Sequence, residues 1–175
     1  MLKKIVCPKE GEYAPYAVTY ISLVPTDELV LQHLDDNFKS IKKLMLSLPA
    51  EKLHYRYAEG KWTIKEILVH LLDAERIFSY RALCIARQET ISLPGFEQDD
   101  YVTHSNANAR DINSILEEYE SLRHSTITLF NGFTDTALAI VGTANNNKLS
   151  PRAAVYQIAG HELHHLNIIK ENYLN

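Results

Sequence analysis

Apolar side chains recur every three or four residues in four separate stretches of this chain, and that spacing predicts four long amphipathic helices. The stretches cover residues 26–48, 63–88, 111–131 and 150–173. The first stripe comprises Val30, Leu34, Phe38, Ile41, Leu44, Met45 and Leu48. No stretch shows a clear strand pattern. Because each helix must bury its apolar face against others, the sequence predicts an all-α fold, a helical bundle.

Several residues at the ends of these stretches are typical of helix boundaries. Thr26 is placed to cap the first helix. Thr63 and Glu66 have the spacing of a capping box at the start of the second helix. Ser150 followed by Pro151 is the pattern of an N-cap and a first helical residue, so we expect the fourth helix to begin there.

The segments that join the predicted helices differ in composition. Residues 1–25 carry prolines and tyrosines without a helical period, and we expect an irregular segment that packs on the bundle. Residues 91–109 are predicted to form a long loop, and such loops are often functional in compact domains. Residues 134–140 are predicted to form a short helix, and residues 142–150 a polar loop. Residues 1–175 as a whole are predicted to form a single domain.

Charge and composition limit the class of partner. The net charge is −4 and no basic run is present, which argues against nucleic acid as the main partner. No run approaches the roughly 20 apolar residues of a membrane helix, and the basic start lacks the apolar stretch of a signal peptide. Cys7 and Cys84 form neither a disulfide framework nor a paired metal motif. We therefore expect a cytoplasmic protein without a membrane partner.

A cluster of histidines lies in the sequence HELHH near the end of the chain. His161 and His165 are four residues apart and fall on the apolar face of the fourth predicted helix, whereas His164 falls to the side. Two imidazoles at this spacing can hold one metal ion. The alternative is a pair of core histidines satisfied by hydrogen bonds. Each would have to be desolvated and paired, and this favours the metal site.

The same five residues also satisfy the His-Glu-x-x-His pattern of zinc proteases, in which Glu162 would be the general base. Such enzymes usually take a third ligand from further along the chain. After His165 the chain carries no histidine, and its one acid, Glu171, lies on the same predicted helix. The third ligand must therefore come from an earlier helix. His33, on the apolar face of the first helix, and His70, at the border of that of the second, are comparable candidates.

Three stretches, EGKWTIKEILVHLLDAERIFSYRAL, LPGFEQDDYV and GHELHHLNIIK, resemble the DinB-like superfamily of four-helix-bundle metalloproteins, which includes the YfiT-like proteins. The resemblance implies an up-down-down-up bundle with one divalent metal ion at one end. Zinc, nickel and other ions occur in the family, and we expect zinc or nickel here. It implies that the ligands are His70, His161 and His165, and it leaves His33 in a core or supporting position. Family members are often dimers, so a homodimer is possible by the same resemblance.

The resemblance also implies an activity. Superfamily members include thiol-dependent S-transferases, so we expect a metal-dependent enzyme that transfers a low-molecular-weight thiol to a small electrophilic substrate or hydrolyses it. An open divalent ion suits this chemistry because it lowers the pKa of a bound thiol or water. Two alternatives remain: a metalloprotease that uses Glu162, and a metal-binding stress-response protein without catalysis.

Further residues are candidates for the surroundings of the site. Glu75 and Glu162 fall on apolar helix faces, where a carboxylate supports a ligand imidazole, acts as a base, or pairs with Arg81, Arg56 or a tyrosine hydroxyl. Pairing is the favoured interpretation for Glu75, and both interpretations are open for Glu162.

The loop before the third helix supplies a second group of candidates. Asp99, Asp100 and Tyr101 reach the mouth of the site if this loop folds over it, and a solvated acidic turn is the alternative. Trp62 is expected to anchor the core rather than to contact substrate. For the tyrosines of residues 1–25, packing and pocket-lining roles are equally open.

Overall fold

A computed structural model of the protein describes residues 1–174. Four long α-helices and four short ones follow one another along this part of the chain, together with one two-stranded antiparallel sheet. In chain order the elements are α1 (Val18–Ile21), α2 (Val30–Ser47), α3 (Ala50–Leu53), α4 (Ile64–Ala86), α5 (Gln98–His104), α6 (Ile112–Asn131), α7 (Asp135–Leu138), β1 (Gly142–Ala144), β2 (Asn147–Leu149) and α8 (Pro151–Ile168). Short 3₁₀ turns form at Pro15–Ala17 and Ala107–Ala109, and α8 continues into a π-helical turn at Ile169–Tyr173.

The long helices α2, α4, α6 and α8 form a four-helix bundle, as predicted. Helices α4 and α6 run parallel, because contacts between them advance together along both helices. Arg76 pairs with Glu118 at 2.6 Å. Further along both helices, the hydroxyls of Ser79 and Thr126 are 3.4 Å apart. The second and third helices of the bundle therefore point the same way.

The first and last helices point the opposite way. On α2, the carbonyl of Leu34 meets Arg123 of α6, whereas the later residue Lys42 meets the earlier Glu120, so α2 and α6 are antiparallel. Just beyond α8, the Tyr173 hydroxyl donates a 2.5 Å hydrogen bond to the backbone carbonyl that precedes α4. The end of α8 thus lies at the start of α4, and the bundle is up-down-down-up.

Two of the three predicted helix caps are present, because their side chains bond to backbone N–H groups that are free at the helix start. Thr63 and Glu66 form both bonds of a capping box, and the Ser150 hydroxyl accepts from the backbone of α8. The prediction that Thr26 caps α2 is wrong. Glu28 adopts a left-handed φ of 67° and interrupts the chain, so α2 begins only at Val30.

Two predicted loops contain regular structure. The polar loop is a β-hairpin whose turn residues, Asn145 and Asn146, have φ values of 50° and 57°. Asparagine tolerates this left-handed geometry and thereby favours the tight turn. The long loop over residues 91–109 contains α5 and pairs with the hairpin, because the Leu93 N–H donates to the Thr143 carbonyl at 3.0 Å.

The N-terminal segment is not fully irregular, because it contains the Pro15–Ala17 turn and α1. It lies against α8, where the Tyr156 hydroxyl donates to the backbone of Ile5 at 2.8 Å. Gly160 allows the backbones of α1 and α8 to approach each other closely, because a Cβ at this position would lie 2.0 Å from the carbonyl oxygen of Tyr20. The position next to His161 therefore requires glycine if α1 is to pack there. No helix among residues 1–174 has the length and apolar character needed to cross a membrane.

Candidate metal centre

Three histidines from two antiparallel helices meet inside the bundle. His70 lies near the start of α4, and His161 and His165 lie near the end of α8. The i, i+4 spacing directs the last two side chains to the same face of α8. The side chains of His70 and His161 are buried, and His165 is partly buried.

The imidazoles converge through one nitrogen each. The Nε2 atom of His161 is 3.0 Å from Nε2 of His70 and 3.1 Å from Nε2 of His165. One ligand nitrogen from each ring lies within 4.8 Å of the other two. Ligand nitrogens about 2.0–2.1 Å from one tetrahedral ion are about 3.3 Å apart, so the two distances from His161 are near those of a metal-bound set.

Hydrogen bonds between the three rings explain the short distances between their nitrogens less well than a shared metal ion does. A neutral imidazole nitrogen carries either one proton or one lone pair. Nε2 of His161 faces two other ring nitrogens, and one proton can lie in only one of these contacts at a time. A cation between three lone pairs satisfies all three nitrogens together.

Burial keeps these histidines in the form that binds metals. It lowers the pKa of His70 to about 4. Burial, with a smaller contribution from neighbouring imidazoles, lowers the pKa of His165 to about 3 and that of His161 well below its usual value. All three rings are therefore neutral at pH 7, with lone pairs available for coordination.

Aromatic side chains hold the rings from both sides. The Trp62 ring packs on His70 at a centroid distance of 4.7 Å and stacks with His165 at 6.3 Å. The Tyr20 ring meets His161 edge-on at 5.3 Å. Trp62 packs against the core at the start of α4, as predicted, and its partly exposed ring also borders a cavity.

Two cavities open beside the histidines. One, of about 340 Å³, is lined by His165 and Trp62. The other, of about 280 Å³, is lined by His70 and His161. Asp99, on α5, lines both cavities. Helix α5, which the sequence predicts as loop, thus carries a carboxylate that lines both cavities.

Two predicted candidates lie elsewhere. His33 is partly buried at the surface of α2, where its Nε2 pairs with Asp27 at 2.9 Å, so it is neither a core residue nor a neighbour of the histidine cluster. Tyr101 is 48% exposed, packs on Phe96, and lines a separate small cavity rather than the two at the histidines. Asp99 and Tyr101 both lie on α5, and of the two only Asp99 lines the cavities beside the histidines.

A buried charge cluster lies beside the histidines along the same helices. The guanidinium of Arg123, on α6, donates to Glu75 of α4 at 2.9 Å and to Glu162 of α8 at 2.6 Å. It also donates to the backbone carbonyl of Leu34 on α2. The Tyr119 hydroxyl donates a 2.6 Å bond to Glu162. All four side chains that form the cluster are at most 2% exposed.

Both Glu75 and Glu162 are paired in this cluster, as the structural interpretation expects. The expected tyrosine hydroxyl is Tyr119, but the arginine is Arg123 and not Arg81 or Arg56. Arg123 is not predicted as a partner from the sequence, although this residue lies on the apolar stripe of α6, four residues after Tyr119. A charged residue on an apolar stripe is the signal that could have identified it.

Comparisons with known proteins agree with this fold and site. A sequence model of the DinB superfamily matches residues 33–169, a range that includes all three histidines. The chain therefore belongs to the DinB superfamily.

Two individual relatives are informative. A protein of Oceanobacillus iheyensis named "Putative metal-dependent hydrolase OB0413" is 24% identical over 142 residues, which cover 80% of this chain and 81% of the relative. The solved structure of YfiT from Bacillus subtilis, described as a probable metal-dependent hydrolase with an unusual four-helix bundle topology, matches with a TM-score of 0.76. That match covers 83% of this chain and 85% of YfiT at 18% identity, and it shows the shared fold.

Removing the guanidinium of the charge cluster should strongly destabilise the fold. In the variant Arg123→Met, Glu75 and Glu162 remain buried without a cation, and we expect a loss of about 3–5 kcal/mol in the free energy of unfolding. Urea denaturation followed by circular dichroism measures it. The matched control is Lys39→Met, which breaks the exposed pair with Asp35 and should change little. Equal effects of the two substitutions would contradict the assignment.

Proposed function

We propose that His70, His161 and His165 bind one divalent metal ion and that the protein is a metal-dependent hydrolase of a small electrophilic substrate. The observation that carries the proposal is the convergence of three neutral imidazole nitrogens, at 3.0 and 3.1 Å, beside two cavities. The names of the relatives described above support the same class of reaction.

Three protein ligands are typical of a catalytic rather than a structural site, because they leave a position for water or substrate. A bound divalent ion supplies Lewis-acid chemistry and lowers the pKa of a bound water to about 7. Zinc and nickel are the ions we propose, since both suit imidazole ligands. Neither cysteine belongs to the cluster, and we propose no fourth protein ligand.

The surrounding side chains would orient the ligands and move the proton. Trp62 and Tyr20 pack on the imidazoles, fix their planes and restrict water to the cavities. Asp99 lines both cavities, and we assign it the role of accepting a proton from the attacking nucleophile. In hydrolysis, a water oxygen bonds to the electrophilic atom, and the leaving group departs with the proton that the carboxylate received.

Thiol transfer is a second candidate, and the presence of two cavities favours it. A low-molecular-weight thiol could lie in one cavity and the electrophile in the other, with the histidines between them. The thiol would lose its proton, its sulfur would bond to the electrophilic atom, and the leaving group would take up the proton.

The protease alternative fits less well. A general base needs a free carboxylate oxygen near the bound water. Both oxygens of Glu162 accept hydrogen bonds from Arg123, and one of them also accepts from Tyr119, in a fully buried cluster. Glu162 is therefore engaged in holding the helices together.

Metal content tests the proposed site directly. Wild-type protein, resupplied with divalent ions and desalted, should retain about one equivalent per chain, measured by plasma mass spectrometry. We expect loss with His70→Ala and with His161→Ala, because two imidazoles hold the ion too weakly. The control His33→Ala should keep the metal, since His33 pairs with Asp27 at the surface. A wild-type protein without metal, or loss in His33→Ala alone, would contradict the assignment.

Substitution of Asp99 should lower the rate of catalysis without lowering the amount of bound metal. In metal-loaded protein, Asp99→Asn should lower hydrolysis of a panel of p-nitrophenyl esters by about 10²- to 10⁴-fold, because the proton acceptor is lost. The control is Asp100→Asn, which changes the adjacent exposed acid and should retain activity. Unchanged turnover in Asp99→Asn would remove Asp99 from the mechanism, and absence of turnover with any ester or thiol-acceptor pair would contradict the enzyme proposal.

A further inference from the structure

A buried cation in the cavity next to the histidines has no carboxylate partner within the described part of the chain, residues 1–174. Arg81, on α4, is only 6% exposed. Among residues 1–174 it forms no ion pair, in contrast to Arg123, which contacts two carboxylates. It lines the same cavity as His70 and His161.

The known contacts of Arg81 account for only part of its bonding capacity. One nitrogen donates a 2.6 Å hydrogen bond to the carbonyl of Pro94. The rings of Phe78 and Phe96 lie 5.7 and 5.9 Å from the guanidinium carbon. A guanidinium has five N–H donors, so several remain for another partner.

Burial of an unpaired charge is costly, and an anion is what relieves it. Burial lowers the pKa of Arg81, but an arginine stays protonated at neutral pH. The acids that line the same cavity, Glu97 and Asp99, are exposed and form no ion pair with it among residues 1–174. Apart from the bond to Pro94, the N–H donors of Arg81 form no hydrogen bond among residues 1–174, so they are available to a ligand.

We propose that Arg81 binds an oxyanion, a carboxylate or a phosphate, at one end of a substrate whose reacting bond lies at the three histidines. A planar guanidinium binds such groups through paired hydrogen bonds. The identity of the reacting end rests on the proposed function, whereas the oxyanion site rests on Arg81 alone.

The geometry of α4 also constrains the length of the substrate. Positions 70, 74, 78 and 81 lie within a narrow sector of the helix, so His70 and Arg81 border one groove. The two residues are eleven positions apart, so their α-carbons are separated by about 16 Å along the helix axis. Side chains on a helix tilt back toward its start. The substrate is therefore an elongated small acid, with its anionic group several bonds from the reacting bond.

Calorimetric titration with two probes tests the oxyanion site. Inorganic phosphate and hexanoate are titrated separately into metal-loaded protein and into protein treated with EDTA. At least one probe should bind wild type, and Arg81→Gln should weaken it about 10- to 100-fold in both preparations, because charged hydrogen bonds are lost. Arg87→Gln removes an exposed charge near the end of the same helix and should bind as wild type does.

Preference for phosphate would indicate a phosphate-bearing substrate, and preference for hexanoate would indicate a carboxylic acid. Binding that persists in Arg81→Gln, equal weakening in Arg87→Gln, or no binding of either probe to wild type would overturn the proposal. If Arg81→Gln fails to fold by circular dichroism, Arg81→Met replaces it, because its length preserves packing between Phe78 and Phe96. If the wild-type protein binds no metal but still binds a probe through Arg81, the proposed function is contradicted and the oxyanion site is supported.

Discussion

The guanidinium of Arg123 joins the four long helices at one buried point. It contacts a carboxylate from α4, a carboxylate from α8 and a backbone carbonyl of α2, while it belongs to α6. The helices α4 and α8 are also those that carry the histidines. Their separation at the site therefore depends on an ion-pair cluster within a few residues of it. A buried ionic cluster of this kind has a high desolvation cost, so its value lies in fixing one arrangement of the helices.

The sequence predicts the parts of the fold that local physics determines. Helical periodicity and the caps at Thr63 and Ser150 define their own segments, and the structure agrees with them. The start of α2 differs because Asp27 pairs with His33 and bonds to the Leu29 backbone, so the chain does not become helical at Thr26. Helix α5 and the hairpin were missed because they are short and depend on contacts between distant segments, such as Leu93 with Thr143.

In the site, too, local sequence predicts some features, and contacts between distant segments determine the others. The i, i+4 spacing directs His161 and His165 to one face, but a single helix gives no information about which other helix lies opposite. Periodicity therefore left His33 and His70 as equal candidates, and only the family resemblance favoured His70. The partner of Glu75, and the lack of an ion pair to Arg81 among residues 1–174, could not be predicted for the same reason, since both depend on how the helices are arranged around one another.

The proposed metal site is open and has three protein ligands, all of them imidazoles. X-ray absorption spectroscopy at the edge of the bound zinc or nickel counts and identifies the atoms in its coordination shell. We expect three imidazole nitrogens at about 2.0–2.1 Å and one or two further oxygen ligands from solvent. A sulfur ligand, or a fourth imidazole in place of solvent, would contradict the proposed site.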